Sequence, residues 1–233
     1  MAVALVAGCA EYSRKPSGYD GGGSNVRWTA EVPEPKGPLP VLALQSLAPP
    51  VELVSSFAAD GAALQPLSEA PFLRDQGVKV PQEILGVVED NHVKVWIDRR
   101  SGDAAMYPTL SKLAPLSSGD VERAVRAATS VLSAGELLGV DDTRVVSAQP
   151  LILNGETVAG GRDRTKIERK SAPYLAYVAG RRFVNELPVY GPGSRVVVIA
   201  GADGHIEGLS RQWKSAKITD RVEPKRSSNE VRR

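Results

Sequence analysis

Hydrophobic periodicity divides the chain into regions of different character. Between Ser117 and Leu138 the period is helical. Val121, Ala124, Val125, Ala128 and Leu132 fall on one face, with Arg123, Arg126 and Ser130 mainly away from it. Ser117 and Asp120 stand in the Ser-x-x-Asp arrangement that satisfies two orphan amides at a helix start. Gly135 weakens the helix late and Gly139 is a suitable stop. Three alanines on the apolar face predict close packing on a sheet rather than a coiled-coil seam. Upstream the period is two. Val93-Lys94-Val95-Trp96-Ile97 alternates and is rich in β-branched residues, so it predicts a strand. Asp98 to Asp103 reads as a turn and Ala104 to Tyr107 as the return strand. Asp98 and Asp103 are explained by turn chemistry rather than by a metal or acid/base pair.

Downstream of the helix, strand patterns dominate. Arg144 to Ser147 alternates. Leu151-Ile152-Leu153 is an apolar run closed by Asn154-Gly155, a hairpin signal. Gly160 to Arg164 reads as a turn. Tyr174 to Val178 and Arg181 to Val184 read as short strands flanking Ala179-Gly180. Arg195 to Ile199 is the strongest strand pattern in the chain. Ala202-Asp203-Gly204-His205 turns it back into Ile206 to Trp213, with Asp203-Gly204 suited to a tight turn and Gly204 expected at positive φ. Hairpin, helix, then several antiparallel strands predict an α+β fold rather than alternating βαβ units. The expected architecture is one main helix packed on a curved antiparallel sheet, preceded by a long Pro/Gly-rich extended segment.

That segment spans residues 10–65. It contains Gly21-Gly22-Gly23-Ser24 and Pro33, Pro35, Pro38, Pro40, Pro49 and Pro50, a composition of mixed flexible and extended chain. Val41 to Leu44 and Val51 to Val54 are apolar runs within it that either dock as strands or remain linker. The folded α+β domain is expected over residues 66–217, followed by a polar tail at 218–233.

Composition narrows the function classes. Lys+Arg is 29 against Asp+Glu 27, a net charge of +2, so bulk electrostatics do not favour nucleic acid. Aromatic residues are 5%, too few for a base-stacking surface. With one cysteine and two histidines, an intramolecular disulfide is excluded and a Cys/His zinc site lacks ligands. No G-x-S-x-G, P-loop or Rossmann fingerprint is present. His92 and His205 are expected at solvent-facing strand ends. An enzyme built on His205 and Glu207 is the weakest reading, and the adjacent Asp141-Asp142 reads as a loop start. The expectation is a non-enzymatic protein without catalytic residues, metal or cofactor. Arg162, Arg164, Lys166, Arg169 and Lys170 form a basic run, with Arg181 and Arg182 close behind. They offer a surface for an acidic partner, anionic head groups or a cell-wall polymer, or else a charged edge that guards against strand pairing.

Two resemblances add to this. Val6-Ala7-Gly8-Cys9, after an apolar start, resembles the lipobox that ends a bacterial lipoprotein signal peptide. The resemblance implies lipidation of Cys9 and removal of residues 1–8, with the signal-like segment spanning 1–9. Leu187-Pro188-Val189-Tyr190-Gly191-Pro192-Gly193, the strand to Ile199, Asp203-Gly204 and Trp213 together resemble the closing part of PepSY and FTP-type modules, the latter named for the fungalysin/thermolysin propeptide. Glu186 stands where that pattern often has Gly. The resemblance covers Ser117 to Ala216 and implies a non-catalytic, extracytoplasmic module. The expected function is binding or scaffolding in the bacterial envelope or outside the cell, with a protein or envelope-polymer partner, a membrane tie through Cys9 and no nucleic acid. The alternative is a structural subunit of an extracellular assembly, contacting neighbours through its extended N-terminal segment and tail.

Overall fold

A computed structural model describes residues 37–46, 54, 63–134, 137–138, 144–160, 167–184, 187–189, 191 and 193–223. In chain order its elements are β1 (Leu39–Ser46), β2 (Gln65–Pro66), α1 (Pro71–Asp75), β3 (Ile84–Glu89), β4 (His92–Asp98), β5 (Ala104–Met106), α2 (Ser118–Ser133), β6 (Arg144–Ser147), β7 (Leu151–Gly160), β8 (Ile167–Val184), β9 (Leu187–Val189), β10 (Ser194–Ala200) and β11 (Ile206–Val222).

The α+β expectation does not hold. The strands join in one antiparallel network of eleven, and strand accounts for 53% of the structure against a single helix of more than five residues among the described ones. The protein is sheet-dominated. The reason is strand length. Asn154-Gly155 does not close a hairpin: β7 runs straight through it, with a register shift between Leu153 and Asn154. A Cβ on Gly155 would lie 2.7 Å from the ring of Tyr174 on β8, so glycine here makes room for an aromatic of the neighbouring strand. Ala179-Gly180 likewise does not break β8, which is one strand of 18 residues. The assigned boundaries move as well. Leu39–Ser46, inside the stretch read as tether, pairs as β1 with Lys214–Val222 of β11, so the start of the expected tail is also strand. Val51 to Leu53 lie outside the described residues, while Val54 is fully buried in the main core.

The sheet order is β2-β3-β4-β5-β11-β10-β8-β6, with β7 and β9 also on β8 and β1 on β11. The Asp98–Asp103 turn joins β4 to β5 as expected, closed by Asp98 N–H to Asp103 O at 2.8 Å. The helix α2 begins as its sequence predicts. Ser117 Oγ accepts from the Asp120 amide, and the Asp120 carboxylate accepts from the Ser117 amide and hydroxyl. It ends at Ser133, short of Leu138. Ala124, Ala128 and Leu132 are buried, while Val121 and Val125 are partly buried against the same cluster. The helix lies on β8, β10 and the turn Ala202–Gly204. Its core partners on the sheet include Ala176, Val178, Val196, Val198, Leu209 and Trp213. A second, smaller cluster joins Leu42 of β1, Val184 of β8, Val189 of β9 and Ala216 of β11.

Candidate partner-binding face

Strand alternation and register together decide which side chains look away from α2. Val196 and Val198 face the helix-side core, so Arg195 and Val197 face the other way. Val196 pairs with Gly180, so the antiparallel register sets Arg195 beside Arg181. Val146 of β6 pairs with Arg181 and Arg144 with Phe183, which brings Arg144 to the same face. Its guanidinium lies 5.7 Å from the Phe183 ring centroid, a cation–π contact. Further along, Tyr177 pairs with Leu151 and Leu175 with Leu153. On the opposite flank Trp96 pairs with Ala105, and Trp96 Nε1 donates to Tyr107 Oη at 3.4 Å.

This outer face is both cationic and greasy. Arg144, Arg181 and Arg195 are exposed, and none has a carboxylate partner among the described residues. Leu151 is 68% exposed, Leu153 42%, Val146 39% and Tyr107 53%, values that mark a surface patch rather than the rim of a core.

The residues of the expected basic patch fall as follows. Arg162, Arg164 and Lys166 lie outside the described residues, as does Cys9. Arg169 belongs to β8, opposite Val158. Lys170 and Arg181 are exposed. Arg182 does not belong to the patch: it is wholly buried, with its guanidinium 4.0 Å from the Trp213 ring centroid and donating to the Lys214 carbonyl. Adjacent residues in a strand point to opposite faces, so Arg181-Arg182 divides between solvent and interior. Arg182 sits where β11 passes from its β10-paired half, ending at Trp213, to its β1-paired half, starting at Lys214.

Arg144 and Arg195 were missed. The alternation in Arg195-Val-Val-Val-Ile was a usable signal for one of them. That β8, which bears Arg181, lies between β6 with Arg144 and β10 with Arg195 was not readable locally. A second buried cation, Arg211 of β11, was also missed. Its Nε donates to Leu137 O at 2.6 Å and a terminal nitrogen to Gly102 O, tying the stretch after α2 to the β4–β5 turn. Burial holds its guanidinium below the ordinary arginine range, with Asp103 opposing that shift.

The histidines stand at strand ends. His92 is exposed at the start of β4, and His205 precedes β11 with its Nδ1 3.3 Å from Glu207 Oε1. Beside that pair, Arg123 bridges Asp120 at 3.3 Å and Asp203 at 2.7 Å. Asp98 is a turn residue. Burial alone would raise its carboxyl, but hydrogen bonds from the Arg100 amide and guanidinium and from Ser101 outweigh this and hold it below the usual carboxylate range. Asp141-Asp142 lies outside the described residues. Among the described residues no three His, Cys, Asp or Glu side chains come together in a way that could hold a metal ion, and no helix is long and apolar enough to cross a membrane. No protein-family model, curated protein or solved structure matches the chain.

Proposed function

We propose that this is a non-catalytic binding or scaffolding protein of the bacterial envelope, held at a membrane by a lipid on Cys9. The observation that carries the reading is an arm. The pairing of β10 with β8 ends at Ala200 and Ala176, yet β7 and β8 stay paired with each other to Gly160 and Ile167. The far part of this hairpin has no other strand beside it among the described residues, and the basic run 162–170 begins in sequence just past the end of β7. A two-stranded ribbon, held near its base by the Leu116 amide donating to Pro173 O and with a basic sequence at its end, suits engagement of a partner by edge pairing or charge.

The alternative, a subunit of an extracellular assembly, draws on β1. A strand from the N-terminal segment adds along β11, the manner in which a donated strand joins a neighbouring subunit.

The test is in two parts. Full-length gene product expressed in a bacterium should partition into detergent, and Cys9→Ser should not; equal partitioning defeats the lipid anchor. Cross-linking in the native envelope should capture the same partner with the full chain and lose it when residues 158–168 are replaced by a short turn. Unchanged capture defeats the arm.

A further inference from the structure

Positively charged side chains placed directly opposite one another across a sheet destabilise it. Arg195 and Arg181 are nonetheless neighbours by register on β10 and β8, with Arg144 on the same face of β6. The cost is removed when an anionic surface lies against them. Leu151 and Leu153 share that face, opposite Tyr177 and Leu175 of β8 and roughly 13 and 20 Å along β8 from Arg181. Leu151 is the most exposed large apolar residue among the described residues of the strands. We infer that this outer face of the sheet docks on an anionic lipid bilayer, its arginines meeting phosphate head groups and its edge leucines inserting among them.

Two observations favour a bilayer over an acidic polypeptide. Exposed leucines on an edge strand have no use against a charged chain, whereas insertion between head groups removes them from water. On the far flank of the sheet, beyond the buried Ile199 and Ala105, Trp96 and Tyr107 lie hydrogen-bonded to each other, aromatics of the kind found at membrane interfaces.

This inference rests on the membrane-adjacent reading above, and its test keeps the two apart by using a chain without lipid. The full chain carrying Cys9→Ser is sedimented with vesicles of phosphatidylcholine alone or mixed with phosphatidylglycerol. Binding is expected only to the mixed vesicles, weakening as salt rises. Arg181→Glu with Arg195→Glu should lower that affinity by about tenfold or more. Leu151→Ser with Leu153→Ser should lower it at constant charge, and circular dichroism should show both variants folded. Equal binding to neutral vesicles, or no loss in either folded variant, overturns the proposal. So does equally tight binding to soluble polyglutamate that the leucine variant leaves unchanged, which would assign the face to an acidic polypeptide. Partner capture through the β7/β8 arm is read separately, so it can fail or survive independently of vesicle binding.

Discussion

Replacing Gly180 tests the packing of the sheet's side chains beneath the helix. Gly180 lies in the middle of β8, opposite Val196, where the helix crosses. A Cβ built on it would sit 2.6 Å from Val196 Cγ1, 3.2 Å from Val145 Cγ1 and 3.5 Å from Leu132 Cδ2. The first distance cannot persist, and Val196 is fully buried, so it has little room to yield. Gly180→Ala should therefore cost about 1–3 kcal/mol by overpacking. In a chain of this size that lowers the melting temperature by roughly 2–4 °C per kcal/mol. Val196→Ala alone should cost about 2 kcal/mol, from two buried methyl groups and the space they leave. The double variant separates overpacking from a generic effect of losing glycine. If the new methyl group enters the space vacated by Val196, the double variant should be more stable than the sum of the singles by about 1 kcal/mol or more. Urea unfolding followed by tryptophan fluorescence reads all four species, because Trp213 is buried in the same core. Simple additivity within about 0.5 kcal/mol, or a Gly180→Ala cost below that figure, would show that Gly180 of β8 and Val196 of β10 do not meet as closely as described.

Gly204 holds φ +75° with a would-be Cβ 3.1 Å from Ala127 Cβ, so Gly204→Val should destabilise by about 1–3 kcal/mol in the same assay. His205→Ala, at an exposed strand end, should stay within about 0.5 kcal/mol. Arg211→Ala strips the Leu137 and Gly102 carbonyls of their donor and should cost about 3 kcal/mol, read as a shift in the denaturant midpoint. The Asp120 carboxyl is held below its usual range by hydrogen bonds from the Ser117 hydroxyl and amide, with Arg123 adding to this. A depressed folded value contributes stability that is fully present above the unfolded value of about 4 and lost as pH falls through the folded one. Thermal unfolding followed across that window should fall less steeply for Asp120→Asn than for the parent chain.

Local chemistry made several elements legible. The capping pair Ser117 and Asp120, the β4–β5 turn and the β10–β11 return with positive φ at Gly204 all follow from residues a few positions apart. Errors arose where a local signal was overruled by a partner far away in sequence. Asn154-Gly155 is a hairpin signal in isolation, but Tyr174 lies over Gly155 and β8 keeps pairing, so β7 continues. Pro40 suggested linker, yet it lies in β1, opposite Arg221 on a ribbon nearly two hundred residues away in sequence. The basic patch suffered likewise. Nearness in sequence grouped Arg182 with Arg181, while alternation separates them.

The sequence alone therefore determined the short-range features: where the helix starts and which face it buries, which residues turn, and the strand character of Arg195 to Ile199. These depend on dihedral preferences and on side-chain period, which act over one turn or one pleat. Only the tertiary structure decided how long the strands are, that residues 39–46 belong to the sheet, and which cations reach solvent. Those outcomes depend on register between strands far apart in the chain. Register is set by burying one whole face at once. The burial that hides Arg182 against Trp213, and the register that sets Arg195 beside Arg181, are properties of the assembled sheet. No single strand carries them.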